Sequence, residues 1–523
     1  MSLLDLPSEL LQQIVKETVP EDFEHVGLTC KTLNAAGAVF LDEYRQRRRR
    51  FRHFAFSHQE GTDGESQVDA ATGATEGDAG SINWDAATKA TGFIIRTTRE
   101  LVEYIARDPI IGRYIQTADL KNSHSDQLAD WDHDAHDHVK IDDQVWDLVR
   151  ESAYVREAGV DPTDMLFHGC AEGYYQVLLM SLLPNTTALA PGRQWSELMD
   201  NGIVNSGSMG RFMEVIVRKA NSPASTGASL SKLEFVYPWM GSGYEERGSL
   251  SSCTPFLALD SLRGLYAGSV IGRDDGYTGY AFEPGYDTYS AKLETIELFA
   301  SIIGAVELRE LLSRTPSLKH FRFAHETKYH GCGWNWDIGA SIAVVQDCVG
   351  GTLEDLAVTL MGDGLNNSGT TLTDMTGFRK LKMLELDYVM LVGPAYDKER
   401  AEADPADNDN EPPWGPPAMV RLVDLLPESI ENVNIYVGPG FFTDEKYIQA
   451  ARKLFDGLNV KSPCARLPHL KEVRYVPKAE PKHPDIAELL DEVKGTGCTV
   501  TEKNRAMPKF ASSFCERFGV EFM

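Results

Sequence analysis

Apolar residues recur in a fixed six-residue form from residue 230 onward, with hydrophobic side chains at positions one, four and six. The strings are LSKLEF from Leu230, a weaker LRGLYA from Leu262, LETIEL from Leu293, LKHFRF from Leu318, LEDLAV from Leu353, LKMLEL from Leu381, IENVNI from Ile430 and LKEVRY from Leu470. Their starts are separated by 32, 31, 25, 35, 28, 49 and 40 residues, which marks an irregular repeat. Side chains alternate along extended chain, so positions four and six share one face and positions three and five the other. Each string predicts a short strand with one apolar face.

Helical stripes precede several strings. Ile338, Ile342, Val345 and Val349 step by four, three and four, and Gly350-Gly351 can end that helix before LEDLAV. Met419, Leu422, Val423 and Leu426 precede Pro427 and IENVNI, while Ile448, Ala451, Phe455 and Leu458 precede LKEVRY. A helix, tight turn and strand expose apolar flanks and become stable by stacking on neighbouring units. Upstream, Leu101, Val102 and Ile105 predict a helix, followed across Pro109 by a strand-like run from Tyr114 to Leu120. Further helices are expected near 144–158, 167–183 and 208–220.

The N-terminus carries a different pattern. Pro7 suits a first helical position and Glu9 a helix start, after which Leu6, Leu10, Leu11, Ile14 and Val15 gather on one stripe. Pro20, Glu21 and Asp22 repeat the start signal, and Phe23, Val26, Leu28, Cys30 and Leu33 furnish a second helical stretch. So small a hairpin cannot bury enough surface alone, and its stripe needs a partner.

The order Leu-Pro-x-Glu-Leu-Leu-x-x-Ile, then Pro-x-Asp-Phe, then Val-x-Leu-x-Cys-Lys resembles the F-box motif over about the first 45 residues. The resemblance implies that the hairpin docks onto the Skp adaptor of Skp–cullin–F-box ubiquitin ligases. By position, Leu6, Pro7, Leu10, Ile14, Val26, Leu28, Cys30 and Leu33 are the docking residues it implies. Thr18 stands where the family usually has an apolar residue and Leu33 where many members have Trp, and both bear on how tightly an adaptor is held. The alternative is an ordinary helical hairpin packed on its own domain. The later strings resemble the irregular leucine-rich repeats of F-box proteins, especially fungal ones, although the Asn or Cys rung is not regular. A parallel-sheet α/β domain of another kind is the competing reading.

The expected fold class is therefore α/β: an N-terminal helical F-box hairpin followed by a leucine-rich-repeat-like solenoid with a parallel sheet. Expected boundaries are 1–50 for the helical domain, 58–92 for an acidic, Gly-rich linker or loop, 93–500 for the solenoid with insertions at 122–143 and 395–417, and 501–523 for a C-terminal tail. In the second insertion, Trp414 is a candidate anchor amid prolines.

Charge narrows the partners. The chain has 51 basic and 78 acidic residues, a formal net charge of -27, which repels nucleic acid and anionic membranes. Its eight cysteines include no C-x-x-C pair, so a reducing compartment is expected. Asp5 and Glu9 interrupt any secretory signal, no apolar run approaches bilayer length, and no prenylation or retention signal ends the chain. The protein is expected to be soluble, in cytoplasm or nucleus. The run Arg45 to Arg52 is read as cations near a helix end rather than an import signal.

No phosphate loop, dinucleotide fingerprint or nucleophile elbow is present, so no enzymatic activity and no cofactor are expected. His325 and His330 are five apart and share no helix face, and the insert His133, Asp134, His136, Asp137, His138 lacks apolar framing, so no metal is expected. What remains is recognition. Positions three and five of the strings align Thr295, Glu297, His320, Arg322, Asp355, Met383, Glu385, Asn432 and Asn434 on one sheet face, with Lys232, Glu234, Ala357, Glu472 and Arg474 at its ends and gaps. Its mixed charge suits a protein or peptide target; the same residues as a merely solvated face are the alternative. The expected function is a non-catalytic substrate receptor that binds an adaptor through the hairpin and a target through the repeats. An interaction scaffold acting outside ubiquitination is the alternative.

Overall fold

The computed structural model describes residues 3–56, 95–121, 141–167, 171–192, 195, 207–225, 227–238, 247–274, 280–326, 336–361, 368–370, 372, 374–396, 414–437, 445–461, 465–477, 484–501 and 508–519. The expected linker 58–92, the His/Asp insert at 133–138, His330 and residues 397–413 lie outside these. The chain forms two compact units, residues 1–239 with 259–262, and residues 240–258 with 263–523. Both are α/β with parallel main strands.

The first unit opens with helices α1 (Ser8–Glu17), α2 (Phe23–Thr29), α3 (Lys31–Gly37) and α4 (Leu41–Phe51). The second helical stretch expected from sequence is thus two helices, broken at Cys30, whose backbone is extended (φ −160°, ψ 166°). Strands β1 (His53–Ala55), β2 (Thr117–Asp119), β3 (Ala188–Ala190) and β4 (Phe235–Val236) pair in parallel, in chain order. Leu101, Val102 and Ile105 are buried on the helix Thr98–Arg107, as their spacing requires. The run expected as strand from Tyr114 begins three residues late, at Thr117, because Ile110–Tyr114 forms a helix behind Pro109.

In the second unit, β5 (Gly264–Gly268), β6 (Thr295–Ser301), β7 (His320–His325), β8 (Asp355–Leu360), β9 (Met383–Asp387), β10 (Asn432–Val437), β11 (Glu472–Pro477) and β12 (Thr499–Val500) form a parallel sheet. Its strand order follows chain order without doubling back. The six-residue strings set its register: Ile296, Phe321, Leu356, Leu384, Val433 and Val473, all at position four, stand opposite one another across six consecutive strands. These side chains, and those at positions one and six of the same strings, are at most 3 % exposed. Period-two alternation makes such a register stringent, since a one-residue slip would turn every apolar side chain to the other face.

A second register device lies at position two. Arg263, Glu294, Lys319, Glu354, Lys382, Glu431 and Lys471 alternate in sign along the ladder, each backbone N–H after the first donating to the carbonyl of the residue before it at 2.8–3.0 Å. Ion pairs link Arg263 to Glu294, Lys319 to Glu294, Lys382 to Glu354 and Lys471 to Glu431. Each is solvent-facing and individually weak. Together they oppose mispairing, because a strand set beside its next-but-one neighbour would meet a like charge.

Helices supply the other side of this core. Ile338–Val349 forms as the sequence predicts, with Ile338, Ile342, Val345 and Val349 buried, and ends at Gly350. Glu445–Phe455 buries Ile448, Ala451 and Phe455. The helix expected to start from Met419 is one turn, Leu422–Leu425, and Met419 is 53 % exposed. Of the four apolar positions there, Leu422, Val423 and Leu426 are buried. We predict that Ile296→Val, which removes one methylene at a fully buried position four, lowers unfolding free energy by about 1 kcal/mol in denaturant titration. A solvent-facing position four would show no change.

Residues 501–523, expected as a tail, contain a helix, α5 (Lys509–Phe518). Phe510, Ala511 and Phe514 on it are buried. Its packing bears directly on the candidate target face.

Candidate docking surfaces

The N-terminal stripe divides in two. Leu11 and Val15 turn inward and are 4 % and 0 % exposed, together with Phe23, Leu33 and Ala36. Gly37 permits this close packing, since a Cβ there would lie 3.3 Å from Val15 Cγ1 and 3.4 Å from Phe23. Successive helical residues are 100° apart, so Leu10 and Ile14 fall on the neighbouring face, 46 % and 38 % exposed. Leu28 on α2 is 81 % exposed. Pro7 is exposed, and Leu6, Val26 and Cys30 are half-buried. Leu33 alone of the eight residues implied by the F-box resemblance lies inside the helical unit, where it cannot meet a partner.

Leu3, Leu4 and Val39 are exposed as well, so six of the eight large exposed apolar side chains among the described residues fall within residues 3–39. The other two, Val306 and Met419, lie far along the chain. Single exposed apolar residues are ordinary; a concentration in one short stretch is the pattern of an interaction surface.

Polar contacts hold this stretch to the rest of its unit. Arg113 donates to both carboxylate oxygens of Glu21, at 3.0 and 2.6 Å, and Asn185 Nδ2 donates to Glu21 and to the Arg113 carbonyl at 2.7 Å. Burial raises the Glu21 pKa, but the hydrogen bonds from Arg113 and Asn185 outweigh it and leave it below the ordinary carboxylate value. Phe23 packs on Tyr44 at 4.6 Å between ring centroids, and Tyr44 on Tyr114 at 5.9 Å. Thr18, the departure from the F-box pattern, donates its hydroxyl to the Val15 carbonyl at 2.7 Å and closes the end of α1.

The basic run is occupied with its own unit. On α4, Arg47 pairs with Glu43 and Asp108, and Arg48 with Glu24. Arg50 stacks over Phe51 and Tyr104 at 5.3 and 5.8 Å, and Arg52 donates to Gln116 at 2.7 Å. This agrees with cations serving the helix and its surroundings.

The second surface is the polar face of the second-unit sheet. Thr295, His320, Asp355, Met383 and Asn432, at position three, form one row and are half-buried. In the position-five row, Glu297, Glu385 and Asn434 are 2 %, 7 % and 9 % exposed, not open to solvent. The reason is α5. Phe514 stacks on Phe299 at 4.8 Å with rings 7° from parallel, and Phe510 meets the same ring edge-on at 6.4 Å. Phe518 packs on Tyr266 at 5.6 Å.

Charges cross the same contact. Arg517 of α5 pairs with Glu297, and Arg322 bridges Glu297 at 3.2 Å and Asp355 at 2.5 Å. Arg517 also lies over the Tyr266 ring at 5.4 Å. At the helix start, the Phe510 N–H donates to Glu385 Oε1 and the Lys509 N–H to the Tyr436 hydroxyl, both at 2.9 Å. Burial pushes the Glu385 carboxyl up to about 7, against the Phe510 hydrogen bond and the charge of Arg322. Phe510, Phe514 and Phe518 recur every four residues behind Pro508, a helical signal that was readable in the sequence.

His325 ends β7, buried and stacked on Trp336 at 4.1 Å, and burial and Arg247 lower its pKa to about 3. Trp414 begins a short strand, Trp414–Pro417, antiparallel to Pro394–Tyr396, so the ends of the 395–417 insertion are tied together. Among the described residues, no group of three or more His, Cys, Asp or Glu is placed to hold a metal ion, and no helix is long and apolar enough to cross a membrane. No protein-family model matches the chain, and no curated protein matches it.

Proposed function

We propose that this chain is a non-catalytic substrate receptor of a Skp–cullin–F-box ubiquitin ligase. In this reading the N-terminal helices bind the Skp adaptor, and a leucine-rich-repeat-like solenoid holds a protein target by its polar sheet face. The observation that carries the proposal is the concentration of exposed apolar side chains within residues 3–39, Leu10, Ile14 and Leu28 among them, on the stretch that resembles an F-box. A rigid receptor of this kind accelerates transfer by holding target and charged enzyme together, and needs no reacting group of its own. The in-order parallel strands are compatible with stacked repeats.

The test is co-expression of the full chain with a Skp adaptor and affinity purification. A stoichiometric complex that further recruits a cullin supports the proposal. Failure to retain the adaptor at micromolar concentration overturns it and leaves the exposed face to a different partner.

A further inference from the structure

The helix α5 covers a surface whose composition is not that of a permanent interior. Parallel sheets buried on both faces read as continuous apolar runs. Here the strands alternate, and the sheet face on which α5 lies carries Glu297, Arg322, Asp355, Glu385 and Asn434 between its apolar spots. Such alternation is the pattern of a face that can meet water. The helix that does cover it has ten residues, too few to persist as a helix without the sheet, and holds on through three aromatic rings, one arginine and the hydrogen bonds of its first two backbone N–H groups to Tyr436 and Glu385.

We propose that the sheet face beneath α5 is the target-binding site, that it receives an amphipathic helix of a partner protein, and that α5 is its resident competitor. The geometry defines the ligand. Phe510, Phe514 and Phe518 occupy positions i, i+4 and i+8, and Arg517 stands at i+7, so one helix face presents three aromatic anchors and a cation. The sheet answers with Phe299 and Tyr266 for the rings and Glu297 for the arginine. A target helix carrying two aromatic residues four apart, followed three residues later by Arg or Lys, meets the same groups. Glu297 is already shared with Arg322, which holds it in place for an incoming guanidinium. The partner's role as a degradation target rests on the receptor reading; the binding site does not, and it is tested without any adaptor.

The probe is a fluorescent peptide of the sequence Lys509–Phe518. Its affinity is measured for the full wild-type chain and for full-length Phe514→Asp, in which the resident helix is weakened and the sheet untouched. We expect at least tenfold tighter peptide binding by the variant, and a smaller gain in the same direction for Arg517→Glu. Equal, weak binding by all three chains overturns the proposal. Hydrogen exchange on the wild-type chain gives an independent answer, and decides alone should Phe514→Asp lose its fold. Amides of 509–518 exchanging well ahead of those in β6 support a displaceable helix. Exchange of both only through global unfolding makes α5 a fixed part of the domain and ends the proposal. Adaptor binding can fail while these results stand, and the reverse.

Discussion

Leu10→Asp combined with Ile14→Asp is expected to weaken adaptor binding by about a hundredfold to a thousandfold while leaving the unfolding midpoint of the chain almost unchanged. The two side chains are 46 % and 38 % exposed, so a docked adaptor would still have much of their surface to remove from water. Burying such a side chain fully is worth about 1.5–3 kcal/mol, and the part still exposed here corresponds to roughly half of that. Two unpaired aspartates facing an apolar partner then add desolvation costs of similar or greater size. In the free chain both positions already meet solvent, and surface changes of that kind stay within about 0.5 kcal/mol. Leu11→Asp is the contrasting control. Leu11 is 4 % exposed, inside the helical unit, so that substitution is expected to unfold the unit and to lose binding for a different reason. Adaptor binding by the double variant equal to wild type, in surface-based or calorimetric titration, would remove this face from the interface.

How much of this was legible beforehand depends on which physical signal each element carries. The strings from Leu293 to Leu470 predict their own register, because alternation fixes a strand's face and equal string length fixes its alignment. The alternating charges at position two become visible only once the strings are laid side by side. The N-terminal stripe was readable as apolar, yet its division into an inner pair, Leu11 and Val15, and an outer pair, Leu10 and Ile14, depends on where α3 packs. That is a tertiary fact. Leu33 follows the same rule: the F-box resemblance implied it as a docking residue, and the folded helical unit buries it. The covered state of Glu297 and Glu385 was hidden for another reason. Alternation says which face a residue takes, and nothing about a helix arriving from residue 509, more than a hundred positions from Glu385. The repeated phenylalanines pointed to that helix; no local signal pointed to its destination.

Glu385 makes the destination testable by pH. Its carboxyl lies under the start of α5, facing the Phe510 N–H, with Tyr436 and the charged groups Arg322, Asp355 and Asp387 around it. The guanidinium of Arg322 is committed to Glu297 and Asp355, and among the described residues no cation pairs with Glu385 directly. Its pKa rises from 4.5 to about 7 in the folded chain, mainly through burial. The folded state therefore prefers the protonated acid. Below pH 4.5 the group is neutral in both states and imposes no cost. Between 4.5 and 7 the unfolded or undocked chain loses the proton first, and the penalty grows. Above 7 it is complete, at about 3 kcal/mol on the scale of 1.36 kcal/mol per unit. Glu385→Gln keeps an oxygen for the Phe510 N–H and removes the charge. It is expected to stabilise the chain by up to about 3 kcal/mol at pH 8 and to change little at pH 4.5, read from denaturant midpoints at the two values. The same substitution should also slow exchange of the 509–518 amides at pH 8 selectively, since the relieved penalty belongs to the covered state. A variant as pH-dependent as wild type across 4.5–7 would show that Glu385 is already solvated, and that α5 does not seal the face above it.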